Sequence, residues 1–530
     1  MQSSQRWTMV AVILGSSMVF LDGTVMNLAL PRIGEELRGS LVSTLEGQTY
    51  AVSGYLAVLA ALLILGGALA DFHGRRKIFT IGLIGFGATS VLCGLAPTLE
   101  LLVLARLLQG AAGALLVPGS LAILTALFEG PARARAFGIW ASATSATSLI
   151  GPVVGGLLVD DISWRAAFLI NVPLVAVALY ATRRYMPETK AQDATGAFDW
   201  LGAGVAVVAV GGLAFGAIRG QDRNWEDPVA WATLILGAVA LVAFPLLMAR
   251  RPNPLVPLRL FRRRQFATIN LSTLLIYGAL YTLFYVQGLF LQGVVGYSAT
   301  AAGVIGLPSG ILLTLLSTRV GTLAGRVGPR RFLVAGPLLM AGGLLWLSRV
   351  PVDTAPWVLA VGDPATFLPP SSTIVDILPF VLLLGFGISL VVAPLTSTLM
   401  SSVPVSNAGL ASAVNNSISR IGQPLLSALI FVVVTGTFYA TLATAVPGLD
   451  AADPVLRAQV QPLNPPEPGT PSEVAAAAKV ASIDAMRLAT LVCAALLAGG
   501  AVVNGIGLRP SPGETGGGRP DRTGRPAPST

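Results

Sequence analysis

Three ionisable residues stand inside long apolar runs: Asp22 in VFLDGTVMNLALP, Arg106 in LARLLQGAAGALL and Arg420 in NNSISRIGQ. A charge at such a depth costs roughly 2.5 to 3.5 kcal/mol or more, so each needs a task or a partner. Asp22 is the carboxylate placed well inside a run, because Glu46, Asp160, Asp161, Asp199, Asp376 and Asp484 fall at the ends of runs. A carboxylate in an apolar cavity can take up and release a proton according to the side it faces, which is what a proton carrier requires. A permanent ion pair tying helices together would use the same residue, and both readings stand at this point.

The remaining residues offer no catalytic constellation. The chain has one histidine, His73, which excludes catalytic triads and metal clusters built on histidine. HExxH, the Walker phosphate loop and Gly-x-Ser-x-Gly are absent from the sequence. Cys93 and Cys493 both sit inside apolar runs, which argues against a disulfide framework or a metal site. The expectation is a protein that is not an enzyme and carries neither cofactor nor metal.

The elements that position Asp22, Arg106 and Arg420 follow from composition. Charged residues make up 11% of the chain, against about 25% in soluble domains. Mean hydropathy is +0.75. Apolar runs of roughly 20 residues match a hydrocarbon core about 30 Å thick. Such runs start near Thr8, Thr49, Ile78, Leu99, Ala136, Ala166, Asp199, Val229, Phe266, Thr300, Phe332, Ile374, Asn407 and Asp484. The fold class is therefore an all-α polytopic membrane protein of about fourteen helices, since helices satisfy their own backbone groups in lipid.

The chain is also duplicated. GALADFHGRRK, from Gly67 to Lys77, returns as GTLAGRVGPRR from Gly321 to Arg331, and Gly138 and Gly151 are echoed at the same spacing by Gly409 and Gly422. A parallel repeat places a binding site between the halves. Arg75, Arg76, Lys77, Arg133, Arg135, Arg183, Arg184, Lys190, Arg326, Arg330 and Arg331 fall on loops of one side, as do Arg250, Arg251, Arg259, Arg262, Arg263 and Arg264 between the eighth and ninth runs. By the positive-inside rule that side is cytoplasmic, the first run is retained and both termini face the cytoplasm. The net charge of +9 is spread over short loops, which fits anionic lipid and not nucleic acid. The expected organisation is a six-helix bundle over 1–198, an inserted pair over 199–248, a basic cytoplasmic linker over 249–265 and a second six-helix bundle over 266–508. An external loop at about 437–483 contains PLNPPEPGTP in an unpacked stretch from Ala445 to about Ser472, although Ser472, Glu473 and the following alanines could start a short helix, and the tail 509–530 reads as disordered.

LDGTVMNLALP, GALADFHGRRK, RLLQGAAGALLVP, SLIGPVVGG and WRAAFLINVP follow one another as in the 14-helix drug/proton antiporters of the major facilitator superfamily, which the chain resembles from about residue 10 to 440. The resemblance implies a twelve-helix core plus the inserted pair. It also implies that Asp22 serves proton coupling or meets substrate charge, and that Arg106 serves proton transfer.

The motifs have mechanics of their own. Gly67 permits close helix approach, and Asp71 with Arg75 can form a charge lock on the cytoplasmic side, although a plain topological role for the arginine fits equally. Asp71 becomes Gly325 in the second copy, so any lock is asymmetric. His73 reads as a solvated loop residue. Gly151 and Pro152 are expected to break the fifth helix and so gate a pathway, with simple packing of small residues as the other reading. Tyr277, Tyr281, Phe284 and Tyr285 share one helix face, with Gln287 near its outer end, and form either a substrate-stacking surface or a packing seam. Trp140, Asn415 and Asn416 are further substrate-contact candidates. Tyr50 stands where the resembled family often has tryptophan.

The functional expectation is a monomeric, proton-coupled secondary exporter, an antiporter of hydrophobic cationic or neutral drug-like compounds in the plasma membrane. The proton gradient is its energy source, and membrane lipid surrounds it. Export of a lipid or self-made natural product on the same fold is the alternative. A non-transporting sensor or scaffold would have little use for Asp22 and Arg106 together.

Overall fold

The computed structural model describes residues 3–37, 50–128, 130–190, 198–222, 226–360, 362–404, 408–451, 453–466 and 469–508. The tail 509–530 and Glu46 lie outside the described residues. The long helices are α1 (Ser3–Glu36), α2 (Tyr50–His73, opening with a π-helical turn), α3 (Arg75–Gly94), α4 (Leu99–Leu127), α5 (Gly130–Asp161), α6 (Asn171–Tyr185), α7 (Trp200–Asp222) and α8 (Pro228–Arg250). They continue as α9 (Arg264–Leu289), α10 (Leu307–Val327), α11 (Arg330–Leu347), α12 (Leu378–Ser401), α13 (Ala408–Ala445) and α14 (Ser472–Gly507). Among the described residues there is no strand, and 12 helices are long and apolar enough to cross a membrane. Pro118, Pro245, Pro337 and Pro394 lie inside helices, a placement that packed neighbours and hydroxyl side chains make tolerable in lipid.

Packing repeats the sequence duplication. α1 packs on α5 and α6, α2 on α4, and α3 on α4 and α6; in the second half α9 packs on α13 and α14, α10 on α12, and α11 on α12 and α14. The halves meet where α13 touches α2 and α4, and where α5 touches α10. α7 packs against α8, α2 and α13, so the inserted pair bridges both halves. Close approach within a half depends on glycine: a Cβ at Gly110 of α4 would lie 2.6 Å from the Tyr55 carbonyl oxygen of α2.

Two expectations about helix ends change. The connection between α13 and α14 is shorter than 437–483 and matches the unpacked stretch expected from Ala445 to about Ser472, because α13 runs to Ala445 and α14 starts at Ser472, ahead of Asp484. Glu473 in the first turn and the alanines after it favour helix beyond the apolar stretch, once the prolines end at Pro471. Gly151 and Pro152 do not break the fifth helix, since α5 is continuous from Gly130 to Asp161. Small residues let it lie close to α1 instead: a Cβ at Gly155 would stand 2.8 Å from Val25.

Candidate functional site

Arg106 and Gln109 lie three residues apart on α4 and so share a face. Arg106 Nη1 donates to Asp22 Oδ2 in a direct ion pair across α4 and α1, and to Gln109 Oε1 at 2.7 Å. Its Nε donates to the Ala51 carbonyl oxygen at 2.9 Å. Gln109 Nε2 donates to Asp22 Oδ1 at 3.2 Å and to Ser90 Oγ at 2.8 Å. Asn171 Nδ2 also donates to Ser90, at 3.2 Å. The guanidinium sits 4.0 Å from the Tyr55 ring centroid and 5.7 Å from that of Phe168. Four helices of the first half, α1 to α4, thus converge on one carboxylate. Both of its oxygens are engaged, and the pair is sealed from solvent, with Arg106 fully buried and Asp22 3% exposed. A narrow crevice lined by Val25, Met26, Ala29, Ala167 and Phe168 abuts Asp22.

Sequence reasoning named Asp22 and Arg106 but not Gln109, Ser90, Tyr55 or Asn171. Gln109 carried a signal, a polar residue three places after Arg106 in RLLQG. Ser90 and Asn171 carried none, because which turn of α3 and α6 meets α4 is decided by packing.

The second cluster surrounds the α2–α3 loop. Asp71 Oδ1 accepts from Arg75 Nη2 at 2.8 Å and from Arg75 Nε at 3.0 Å, while Arg75 Nη1 donates to the Ala122 carbonyl oxygen at 3.2 Å. Glu188, not anticipated from sequence, caps α3: its carboxylate accepts from the backbone N–H groups of Arg76 at 3.0 Å and Lys77 at 3.2 Å. Gly74 turns the chain with φ 111° directly beneath that carboxylate. Gly67 is buried on α2, and the close approach falls on its neighbour Gly66, where a Cβ would lie 2.3 Å from the Ala114 carbonyl oxygen. His73 is no solvated loop residue, since it ends α2, packs against Phe72 and Phe198, and has a buried Nδ1 without a partner. In the second copy Arg330, the counterpart of Arg76, donates from Nε to the Gly505 carbonyl oxygen of α14 at 2.9 Å, as Arg76 Nη2 donates to the Arg183 carbonyl oxygen of α6 at 2.9 Å.

The substrate-contact candidates divide. Trp140 Nε1 donates to Ser16 Oγ at 3.0 Å, Ser16 donates to Ser120 at 2.8 Å, and Thr147 donates to Ser17 at 3.0 Å, which ties α5 and α4 to α1. Gly151 is buried on α5, and the Pro152 side chain lies outside the described set. Asn415 Nδ2 donates to Asn270 Oδ1 at 3.1 Å and to Thr273 Oγ1 at 2.9 Å on α9, whereas Asn416 donates to the Ser412 carbonyl oxygen of its own helix at 2.9 Å. Tyr277 and Tyr281 are half-buried with centroids 6.0 Å apart. Phe284 and Tyr285 are exposed, Tyr285 packing edge-on against Phe431 of α13, and Gln287 is half-buried. Tyr50 accepts a hydrogen bond from Arg219 of α7 at 2.9 Å and stacks on Phe215. Its place in this fold is to dock the inserted pair.

The family model described as Major Facilitator Superfamily matches residues 12–427. The chain is 33% identical over 461 residues to multidrug resistance protein Stp of Mycobacterium tuberculosis, covering 86% of this chain and 81% of that one. It is 33% identical over 445 residues to puromycin resistance protein pur8 of Streptomyces alboniger, covering 82% and 83%. A solved bacterial homolog of the human lysosomal transporter Spinster, inward-facing and unoccupied, aligns with a TM-score of 0.57 over 96% of this chain and 97% of that one. At 18% identity that likeness concerns the fold alone.

Proposed function

The chain belongs to the major facilitator superfamily, and from that premise we propose that it is a proton-coupled exporter of hydrophobic, drug-like compounds. It is a multi-pass membrane transporter and not an enzyme. On this reading α1 and α5, of 34 and 32 residues, cross the membrane with the other twelve. The protein then works as a monomer in the plasma membrane with both termini cytoplasmic, its two halves alternating access to a cavity between them.

The observation that carries the reading is the sealed Asp22–Arg106–Gln109 cluster. Protonating Asp22 neutralises one member of the ion pair and removes an acceptor from Gln109, so proton binding is in itself a change of the α1–α4 contact. Each proton entering down a potential contributes about 2.3 kcal/mol per 100 mV, enough for a roughly fifty-fold gradient of a neutral substrate at one proton each. Asp71, Arg75 and Glu188 hold the α2–α3 turn as one unit that the rocking halves must move. The names of the two resistance-protein relatives support a toxic small molecule as cargo. The expectation of cationic or neutral cargo rested on one buried acid, Asp22, together with the aromatic face of α9. Arg106 neutralises Asp22, so hydrophobicity, and not positive charge, is the proposed requirement.

Everted vesicles containing the protein and a pH-sensitive dye test this directly. Addition of transported amphiphiles, puromycin among the panel, should release protons from acidified vesicles, and Asp22→Asn should abolish that release. Substrate accumulation without proton movement in the wild type would sink the coupling. A self-made natural product as cargo fits the same geometry, and pur8, a resistance protein of a Streptomyces, favours keeping it as the second reading.

A further inference from the structure

Arg420 differs from the paired charges of the helical bundle. Asp22 is paired with Arg106, Asp71 with Arg75 and Arg219 with Asp227. Arg420, inside the apolar span of α13, has no acidic partner and no side-chain hydrogen bond among the described residues. Its helix face is turned to the other half. Ser417, three residues earlier, donates to the Ala60 carbonyl oxygen of α2 at 3.3 Å, and Ile421 packs against Ala60, Ala61 and Val210. The guanidinium lies 6.0 Å from the ring centroid of Phe20 on α1. It is partly exposed at the junction of the halves, and its neighbour Phe20 lies two residues before Asp22 on α1.

We propose that Arg420, with the Phe20 ring beside it, is the recognition point for an anionic oxygen, a carboxylate or phenolate, carried by a hydrophobic aromatic substrate. A guanidinium at this depth is costly while unpaired, and its planar fork matches a carboxylate while its weak hydration makes it the cation best suited to stacking and partial burial. The acid on the helix that carries Phe20, Asp22, is already held by Arg106 and Gln109, so it neither satisfies Arg420 nor repels an incoming anion. The substrate's apolar body would lie on Phe20. This deepens the export reading above and rests on it for the direction of movement, whereas the binding preference can be measured at equilibrium.

The test uses the full-length protein in nanodiscs with three matched probes, 1-pyrenebutyrate, 1-pyrenebutanol and 1-pyrenebutylamine, each corrected for partition into protein-free discs. The wild type should bind the acid at least about tenfold more tightly than the alcohol, the range of one charge-assisted contact. Arg420→Gln should bring acid and alcohol within about twofold while leaving alcohol binding in place, and Arg420→Lys should retain a preference for the acid. Equal binding of acid and alcohol by the wild type, tighter binding of the amine, or an undiminished acid preference in Arg420→Gln would each overturn the proposal. The wild-type comparison decides even where a variant does not fold. Proton-driven efflux of the alcohol from proteoliposomes is measured alongside: its absence in the wild type would defeat the export reading and leave the Arg420 preference standing.

Discussion

Gln109 grips Asp22 and Arg106 at once, donating to the carboxylate at 3.2 Å while accepting from the guanidinium at 2.7 Å. The ion pair therefore has a neutral bridge. Removing a member of a buried pair usually costs about 3 to 5 kcal/mol, because the other charge is left unpaired. Asp22→Asn keeps an acceptor for Arg106, so its expected loss is smaller, about 1.5 to 3 kcal/mol. Thermal unfolding in detergent should rank wild type, Asp22→Asn and Asp22→Ala in that order of stability, with proton-coupled transport lost in both variants. Wild-type efflux by Asp22→Asn under a normal proton gradient would return Asp22 to a purely structural role.

The two loop repeats should respond oppositely to alanine. Gly74→Ala forces a φ of 111° on a side chain whose Cβ would stand 2.7 Å from Glu188, a strain of about 1 to 3 kcal/mol. Gly325, which stands in helix α10 where the first copy has Asp71, has open space around its own Cβ position. There alanine should raise helix stability by up to about 1 kcal/mol. Unfolding midpoints of the two variants check the contrast, and a milder effect for Gly74→Ala would show that the Glu188 cap yields.

Asn415→Leu and Asn416→Leu should separate just as clearly. Asn415 joins α13 to α9 through Asn270 and Thr273, and its loss strands two buried polar groups, an expected cost of about 1 to 3 kcal/mol. Asn416 bonds within its own turn, and its replacement should change stability by under about 1 kcal/mol. Proteolysis rates in nanodiscs would report the difference, and equal protection of the two variants would count against the bridge.

Trp140→Phe removes the indole donor to Ser16 while keeping an aromatic ring in the α1–α5 contact. The expected loss is about 1 kcal/mol in stability. Transport of a neutral probe should stay within about threefold of wild type, whereas a loss of binding itself would make Trp140 a substrate contact after all.

Much of the architecture was legible along the chain, because lipid imposes one rule on every span: backbone groups must bond internally while side chains stay apolar. That rule locates the spans, the duplicated loop motif locates the halves, and the rarity of charge at membrane depth singles out Asp22, Arg106 and Arg420. Each of these inferences needs only composition and period. Helix ends were less legible, since α5 passes through Gly151 and Pro152, and the helix start signalled by Ser472 and Glu473 opens the whole last span and not a separate short helix.

Which residues meet across helices was settled only by the tertiary structure. A polar side chain at a given depth has several possible neighbours, and rotating a helix by one residue changes them by about 100°, a choice that packing of small residues such as Gly66, Gly110 and Gly155 decides. Hence Asp22 with Arg106 was within reach from sequence, but the Gln109 bridge, the Glu188 cap and the docking of Tyr50 on Arg219 were not. Arg420 shows the same division. Its depth is written in the sequence, while its lack of an acidic partner among the described residues and its place beside Phe20 exist only once the two halves are brought together.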